Sequence, residues 1–370
     1  MVLLKKYNVK YMYIFNLFSS FRYFGLSKLK GIIMKKYIMI SLVFFLFSCA
    51  ENEKVIEPID IEIVFSPVFD AERIQSAMQP LEDLLLNKLK DKGFDYVKSV
   101  DFTVAVSQMA AAEALDSSSV LMAYLPPTTY LSIENESIEP ILVGRRNNTN
   151  VDSLDIADWN SNIPNVLVDT ELVSYFYGNI ISGPSERGKK ISLLVDKNIP
   201  IVWNDIKDLT FCMGSNVTSG LTYIYPNLWL ESQFSKTFDD FDSLLPLSNL
   251  TEIIASLAAE TCDIGIVSGV TRSDYEKDWL EKFDRPLSVW EETRVIGVTK
   301  QIEAAMFVIS KSNPNYSDEL KVALIESFLE VASQDIGVEG FNSLNLEGID
   351  QIPSNYLDSS REAYQFMANR

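Results

Sequence analysis

The 370 residues carry 32 Lys and Arg against 51 Asp and Glu, a formal net charge of −19, and no histidine. So acidic a chain repels nucleic acid, and without histidine it lacks the usual general base and the commonest zinc and copper ligand. Its 47% hydrophobic residues are those of a globular protein, and its length exceeds the roughly 250–300 residues at which single cores stop growing, which predicts two lobes.

The charge is unevenly placed. Residues 1–48 hold eight basic and no acidic side chains, which leaves 24 basic and 51 acidic from Cys49 onward, a net of −27. Met34-Lys35-Lys36 opens a segment in which Tyr37 to Phe47 is almost wholly apolar and Leu46-Phe47-Ser48-Cys49 closes it. A basic start, an apolar stretch of about a dozen residues and a small residue before the cleavage point describe an export signal too short for an ordinary membrane span. With cysteine at the first mature position, the segment resembles a bacterial lipoprotein signal with its lipobox. The resemblance implies diacylglycerol on the Cys49 thiol and cleavage just before it, so the mature chain is expected outside the cytoplasm, anchored to the cell membrane by lipid. Residues 1–33 precede the better start at Met34 and read as an upstream mis-start. The alternative is a transmembrane extension, although Asn16, Ser19, Ser20, Arg22 and Lys28 interrupt its apolar runs. Ala50 to Pro58 is acidic and without periodicity, a tether.

Asp60 to Phe65 reads as a first strand, followed by the turn Ser66 to Asp70. Ile74, Ala77, Met78, Leu81, Leu84, Leu85 and Leu89 then recur at helical spacing. Phe94–Val100 predicts a second strand, Thr103–Leu115 an alanine-rich helix, and Val120–Leu125 a third strand stopped by Pro126-Pro127. Strands alternating with helices across short turns predict a parallel sheet covered by helices. After Ile141-Leu142-Val143, the polar stretch Gly144 to Pro164 reads as a loop, with Arg145 and Arg146 solvated in it or, alternatively, clamping an anion. Val166–Val168, Tyr175–Ile181 and Ile191–Val195 are further apolar runs, and Trp203–Leu209 is a short helical turn.

Leu209–Met213 is strand-like, and the glycine-bounded, hydroxyl-rich turn Gly214-Ser215-Asn216-Val217-Thr218-Ser219-Gly220-Leu221 leads into a helix over Leu221–Phe234. Backbone amides and hydroxyls at a helix start favour an anion. By itself the turn reads as a helix cap, with Ser215, Thr218 and Ser219 as capping residues. Beyond it, Asn249 to Glu252 has capping-box spacing before a helix over 253–259. Cys262–Val267 returns as a strand ending at Ser268-Gly269, 294–298 and 305–309 are two more, and Tyr316–Ala332 and Ser359–Met367 are helical. Cys212 and Cys262 could pair outside the cytoplasm, but both lie in apolar runs and read as buried free thiols.

The order of these pieces carries a resemblance. Ser66-Pro67 after the first strand, Ala114-Leu115 before Asp116 to Leu125, Pro126-Pro127-Thr128-Thr129-Tyr130, Thr218-Ser219-Gly220, Asp263-Ile264-Gly265-Ile266-Val267 and the tail Tyr356 to Ala363 follow one another as in the phosphate/phosphite/phosphonate (PhnD-like) substrate-binding proteins of ABC importers. The resemblance covers about residues 59–367. It implies an α/β protein of the type II periplasmic-binding-protein fold, two α/β lobes joined by two crossover strands. Lobe one would take 57–173 plus 299–370 and lobe two 174–298, with crossovers near Tyr177 and Gly297-Val298. It also implies a ligand in the interlobe cleft, held by Thr218, Ser219 and Gly220, with Thr128, Thr129, Ser66, Tyr124, Tyr177 and Ser268 as further cleft residues, and an ABC permease and its ATPase as partners of a monomeric receptor. Where members of this family with a Ser-Thr-Ser-Gly turn have a hydroxyl, this chain has Val217. Thiamine or a thiamine phosphate, which some members are taken to bind, is the alternative ligand, and a surface antigen or adhesin without transport is the alternative role. No Ser/His/Asp set, P-loop or metal spacing points to an enzyme, a cofactor or a bound metal.

Overall fold

The computed structural model describes residues 57–369, apart from 68, 69 and 345. The expected signal segment, Cys49 and the expected tether up to residue 56 lie outside the described residues. The chain opens with β1 (Ile59–Phe65), α1 (Ala71–Asp91), β2 (Val97–Val104), α2 (Gln108–Asp116), β3 (Met122–Leu125), α3 (Pro127–Leu131), β4 (Ile138–Thr149), α4 (Ile156–Trp159) and β5 (Leu167–Val173). Next come β6 (Tyr175–Phe176), β7 (Gly178–Ser182), α5 (Glu186–Asp196), α6 (Trp203–Ile206) and β8 (Thr210–Gly214). A π-helical turn, Gly220–Ile224, runs into α7 (Tyr225–Phe234), followed by β9 (Ser243–Leu247), α8 (Leu250–Ala258) and β10 (Ile264–Ser268). Short helices α9 (Thr271–Asp274), α10 (Glu276–Glu281) and α11 (Val289–Glu292) precede β11 (Arg294–Val298). The chain closes with β12 (Ile302–Glu303), β13 (Met306–Ser310), α12 (Asp318–Ala332), α13 (Asp335–Asn342), β14 (Gly348–Gln351) and α14 (Asp358–Ala368).

Two sheets organise these elements. The first runs β2-β1-β3-β13-β4-β14, with β5 paired to β4, and the second runs β9-β8-β10-β7-β11. Each has its own apolar core. The first buries the helical stripe of α1, including Ile74, Met78, Leu81, Leu85 and Leu89, against Phe65, Phe102, Phe307 and Phe328. The second gathers Phe211, Phe238, Ile253, Leu257, Ile264, Ile266 and Trp279. Among the described residues no helix is long and apolar enough to cross a membrane.

Both sheets are mixed rather than parallel. β13 runs antiparallel to β3 and β4, and β7 runs antiparallel to β10 and β11, because these strands carry the chain from one sheet to the other and back. Both passages meet in the small antiparallel pair β6 and β12, where Ile302 faces Phe176 and Glu303 faces Tyr175. Gly297 and Val298 still belong to β11, so the returning passage begins at Thr299.

Several expectations are corrected. Thr103 and Val104 continue β2, since they pair with Val64 and Phe65; the helix starts only at Gln108, capped by Ser107. Gly144 to Thr149 is strand, with β5 and β14 pairing along it. The run Ile191–Val195 ends a helix that Ser185 caps through the Gly188 amide. Cys212 and Cys262 are not free thiols. They form a disulfide with 5.8 Å between their Cα atoms, because β8 and the start of β10 lie side by side and bring the two cysteines together.

Candidate functional site

Three helix starts converge where the chain leaves β2, β3 and β8. The first N–H groups of any helix have no carbonyl one turn behind them, so such starts present donors and the positive end of a dipole. At α2, Ser107 accepts from Ala110, one turn in. At α3, Pro126 precedes Pro127 and no side chain caps the turn, whose Thr128 and Thr129 are buried. At the π-turn, Ser219 Oγ accepts from the Thr222 amide at 3.3 Å and the Thr222 hydroxyl at 2.8 Å.

Side chains tie these starts together across the two sheets. Asn216 Nδ2 donates to Gln108 Oε1 at 2.9 Å, and Thr129 Oγ1 donates to the same oxygen at 3.3 Å. Thr218 Oγ1 bonds Asn216 Oδ1 at 2.9 Å and also reaches Met109 Sδ at 3.5 Å, while its amide donates to Asn216 Oδ1 at 3.0 Å. Thr128 Oγ1 is buried and has no partner among the described residues. It lies 3.2 Å from where a Cβ on Gly220 would sit, a tight contact that a side chain there would relieve only by shifting Thr128. Gly214, at the other end of the turn, is under a tighter limit: a Cβ there would fall 2.0 Å from Thr222 Oγ1.

Residues 63–356 match the family described as ABC transporter, phosphonate, periplasmic substrate-binding protein. The chain belongs to this family. Its fold is that of the type II periplasmic binding proteins, and its family role is binding solute for an ABC transporter. Among solved structures, Mh-p37 of Mycoplasma hyorhinis, proposed to transport thiamine pyrophosphate, is similar with a TM-score of 0.62 at 13% identity, over 84% of this chain and 99% of that one. PhnD1 of Prochlorococcus marinus in complex with methylphosphonate gives a TM-score of 0.59 at 10% identity over 84% and 99%. A binding-protein component of an ABC phosphonate transporter from Pseudomonas aeruginosa gives 0.58 at 14% identity over 85% and 87%. No curated protein matches the sequence.

Within this binding-protein frame, Thr128, Thr129, Thr218, Ser219 and Gly220 stand together. Other residues singled out from sequence have committed side chains. Ser66 donates its hydroxyl at 2.7 Å and its amide at 3.1 Å to the Tyr124 carbonyl, which locks the turn after β1 to the end of β3. Tyr124 is packed between Phe65 and Phe307, at ring distances of 5.2 and 4.8 Å. Burial pushes its phenol well above the ordinary range, against the opposing pull of Arg146. Tyr177 donates its hydroxyl to Asp152 and packs edge-on against Trp159 at 5.8 Å, so it braces the passage between sheets. Ser268 shares a 2.9 Å hydrogen bond with Thr271 at the entry to α9.

Arg145 and Arg146 point to different tasks. Arg145 pairs with Asp350 and the Leu172 carbonyl on β4's flank. Arg146 lies 5.4 Å from the Phe176 ring centre, and burial lowers its pKa while Asp274 and Tyr124 oppose the shift. Asp274, from α9 of the second sheet, is raised by burial and lowered by Arg146 and Arg73. A cation of the first sheet and a carboxylate of the second thus share one field. Sequence reading set Arg146 in a loop and left Gln108, Asn216 and Asp274 unassigned. The polarity of Asn147, Asn148 and Asn150 hid the strand that carries Arg146, and nothing local marks Asp274.

Proposed function

We propose that this chain is an extracytoplasmic, lipid-anchored receptor that takes a small phosphate-, phosphite- or phosphonate-type oxyanion between the Thr218–Gly220 turn and the starts of α2 and α3. The observation that carries the reading is the buried, unpartnered Thr128 hydroxyl facing Gly220 from the opposite sheet's turn. A buried hydroxyl left unpaired costs about 1–3 kcal/mol, which an oxyanion's acceptors would recover. Thr218 and Ser219 hydroxyls with the turn amides would supply the second wall, and Arg146 on β4 would supply a cation. The ligand would pass to a permease driven by its ATPase. The chain's large negative charge does not forbid an anionic ligand, because charges beyond about 8–10 Å are screened by salt.

The test is a thermal-shift panel of phosphate, phosphite, methylphosphonate, thiamine and thiamine pyrophosphate. A ligand present at 100-fold its dissociation constant adds about 2.7 kcal/mol. An oxyanion should raise the melting temperature, and Thr218→Ala with Ser219→Ala should abolish that rise. Silence across the whole panel would sink the reading. A second ligand, thiamine pyrophosphate, is favoured by one feature: Val217 puts an apolar, 59% exposed side chain in the turn where a further hydroxyl would serve a bare oxyanion. The same panel separates the two, since thiamine alone would then respond weakly and its pyrophosphate strongly. The anchor rests on Cys49, and Cys49→Ser should move the protein from the membrane to the soluble fraction; membrane retention would favour an uncleaved amino-terminal segment.

A further inference from the structure

On α9, in the second sheet's half of the molecule, a buried cation has no counter-charge among the described residues. Arg272 is 3% exposed. Its Nη2 donates to the Trp159 carbonyl at 2.7 Å and to Asn165 Oδ1 at 2.5 Å, and its guanidinium carbon lies 4.6 Å from the centre of the Trp290 ring. Both acceptors are neutral. The charged group felt at Arg272 is Arg294, of the same sign, whose Nη1 donates to the Trp290 carbonyl at 2.8 Å.

Three buried N–H donors of this cluster have no acceptor among the described residues: Arg272 Nε, Asn165 Nδ2 and Trp290 Nε1. They come from three separate segments, the approach to β5, α9 and α11. A lone buried charge is strongly unfavourable unless it is paired. Water can fill donor sites, but it brings donors of its own and no charge. A small anion accepts from several N–H groups at once and neutralises the guanidinium. We propose that Arg272, Asn165 and Trp290 form a binding site for one small monovalent inorganic anion of the halide class, chloride being the simplest. The anion would fix α9 from behind, on the element that carries Asp274 toward Arg146.

The experiment is the melting of the full chain, purified in detergent, as sodium gluconate is replaced by sodium chloride or bromide at constant ionic strength, from about 1 to about 100 mM. The melting temperature should rise by several degrees and saturate. Arg272→Met should lose the rise, whereas Thr218→Ala with Ser219→Ala should keep it, which separates this site from the ligand turn. Should Arg272→Met fail to fold, Trp290→Phe keeps the ring but deletes one donor, and it should raise the half-saturating concentration severalfold. A crystal soaked in bromide should show an anomalous peak within hydrogen-bond distance of Arg272 Nε. Equal melting in both salts, a non-saturating rise shared by every variant, or a refined water without anomalous signal would overturn the proposal.

Discussion

Gly214 is a position where one methyl group decides the shape of the turn proposed to hold the ligand. Its missing Cβ is occupied by the Thr222 hydroxyl, which in turn bonds the Ser219 hydroxyl. Gly214→Ala should therefore displace Thr222 and the Ser219 cap, destabilise the protein by about 1–3 kcal/mol in urea melts, and weaken ligand binding at least tenfold. Gly214→Ala with Thr222→Gly removes both close atoms, the hydroxyl at 2.0 Å and the Cβ at 2.6 Å, and should recover stability more than binding, because Ser219 Oγ then keeps only the residue-222 amide as donor. If binding recovers fully, the hydroxyl pair is not what shapes the turn. Asp274 gives a second expectation at this scale. Partial desolvation raises its pKa above the ordinary carboxyl value against the pull of Arg146 and Arg73, but the residue is exposed to water, so its charge carries little folding free energy. Asp274→Asn should then leave the melting temperature at pH 7 nearly unchanged and tighten binding of an anionic ligand severalfold by calorimetry, since Arg146 loses its competing partner. Thr218, Ser219 and Gly220 were legible because a hydroxyl-rich turn between strand and helix has a local signature. Arg146 and Asp274 were not, because their meaning lies in being brought together over 128 positions of chain.

Among the elements, the second sheet is held by two devices that differ in chemistry. The Cys212–Cys262 disulfide closes a loop with a sequence separation of 50 between β8 and β10. Chain entropy alone assigns such a loop about 4 kcal/mol, and measured values for native disulfides lie at about 2–5 kcal/mol. Cys212→Ala with Cys262→Ala should lower unfolding free energy within that range in denaturant titrations; no change would mean that the bond is absent in the mature protein. Apolar flanks made the two cysteines look like buried thiols, and only the pairing of β8 with β10 shows that they meet. The other device is Glu292 at the end of α11. Burial by itself would raise its pKa, but Arg285, bonded at 2.9 and 2.8 Å, and Trp279, at 2.9 Å, bring it below the ordinary value. Its stabilisation is therefore complete above the unfolded glutamate pKa of about 4.3 and is lost as pH falls through the depressed folded value. Glu292→Gln should cost about 1–3 kcal/mol at pH 7, because Arg285 keeps Glu260 at 2.9 Å as a counter-charge, and should lose stability less steeply than the wild type below about pH 4. Parallel acid melting curves would show that the pair is not formed. At this scale helical periodicity found α1 correctly, whereas the run Ile191–Val195 received neither a helix nor a strand reading, because so short a run has no period of its own. Its cap, Ser185, lies outside the run.

For the whole molecule, two sheets in series were legible from the rhythm of strand and helix, and the family order of motifs supplied the rest. What holds the sheets to each other was not, because it is made of single residues far apart in sequence. Tyr225, at the junction of the π-turn and α7, donates its hydroxyl to Glu303 at 2.9 Å, and Glu303 also accepts from the Ser360 amide at 3.2 Å on α14. Ile224, Tyr225, Ile302 and Ala363 pack together at the same place. Thus the helix that begins at the Gly214–Gly220 turn is tied directly to the returning passage at β12 and to the carboxy-terminal helix. If binding proteins of this fold close by hinge motion of the two sheets, this contact favours the arrangement in which Thr128 faces Gly220. Tyr225→Phe removes about 1 kcal/mol of hydrogen bonding and keeps the ring, so it should lower the population of that arrangement and weaken ligand binding by roughly fivefold. The radius of gyration of the ligand-free protein by X-ray scattering should increase, while saturating ligand should restore the wild-type value. Unchanged scattering together with unchanged affinity would mean that Tyr225 serves packing alone and that the sheets are held at β6 and β12.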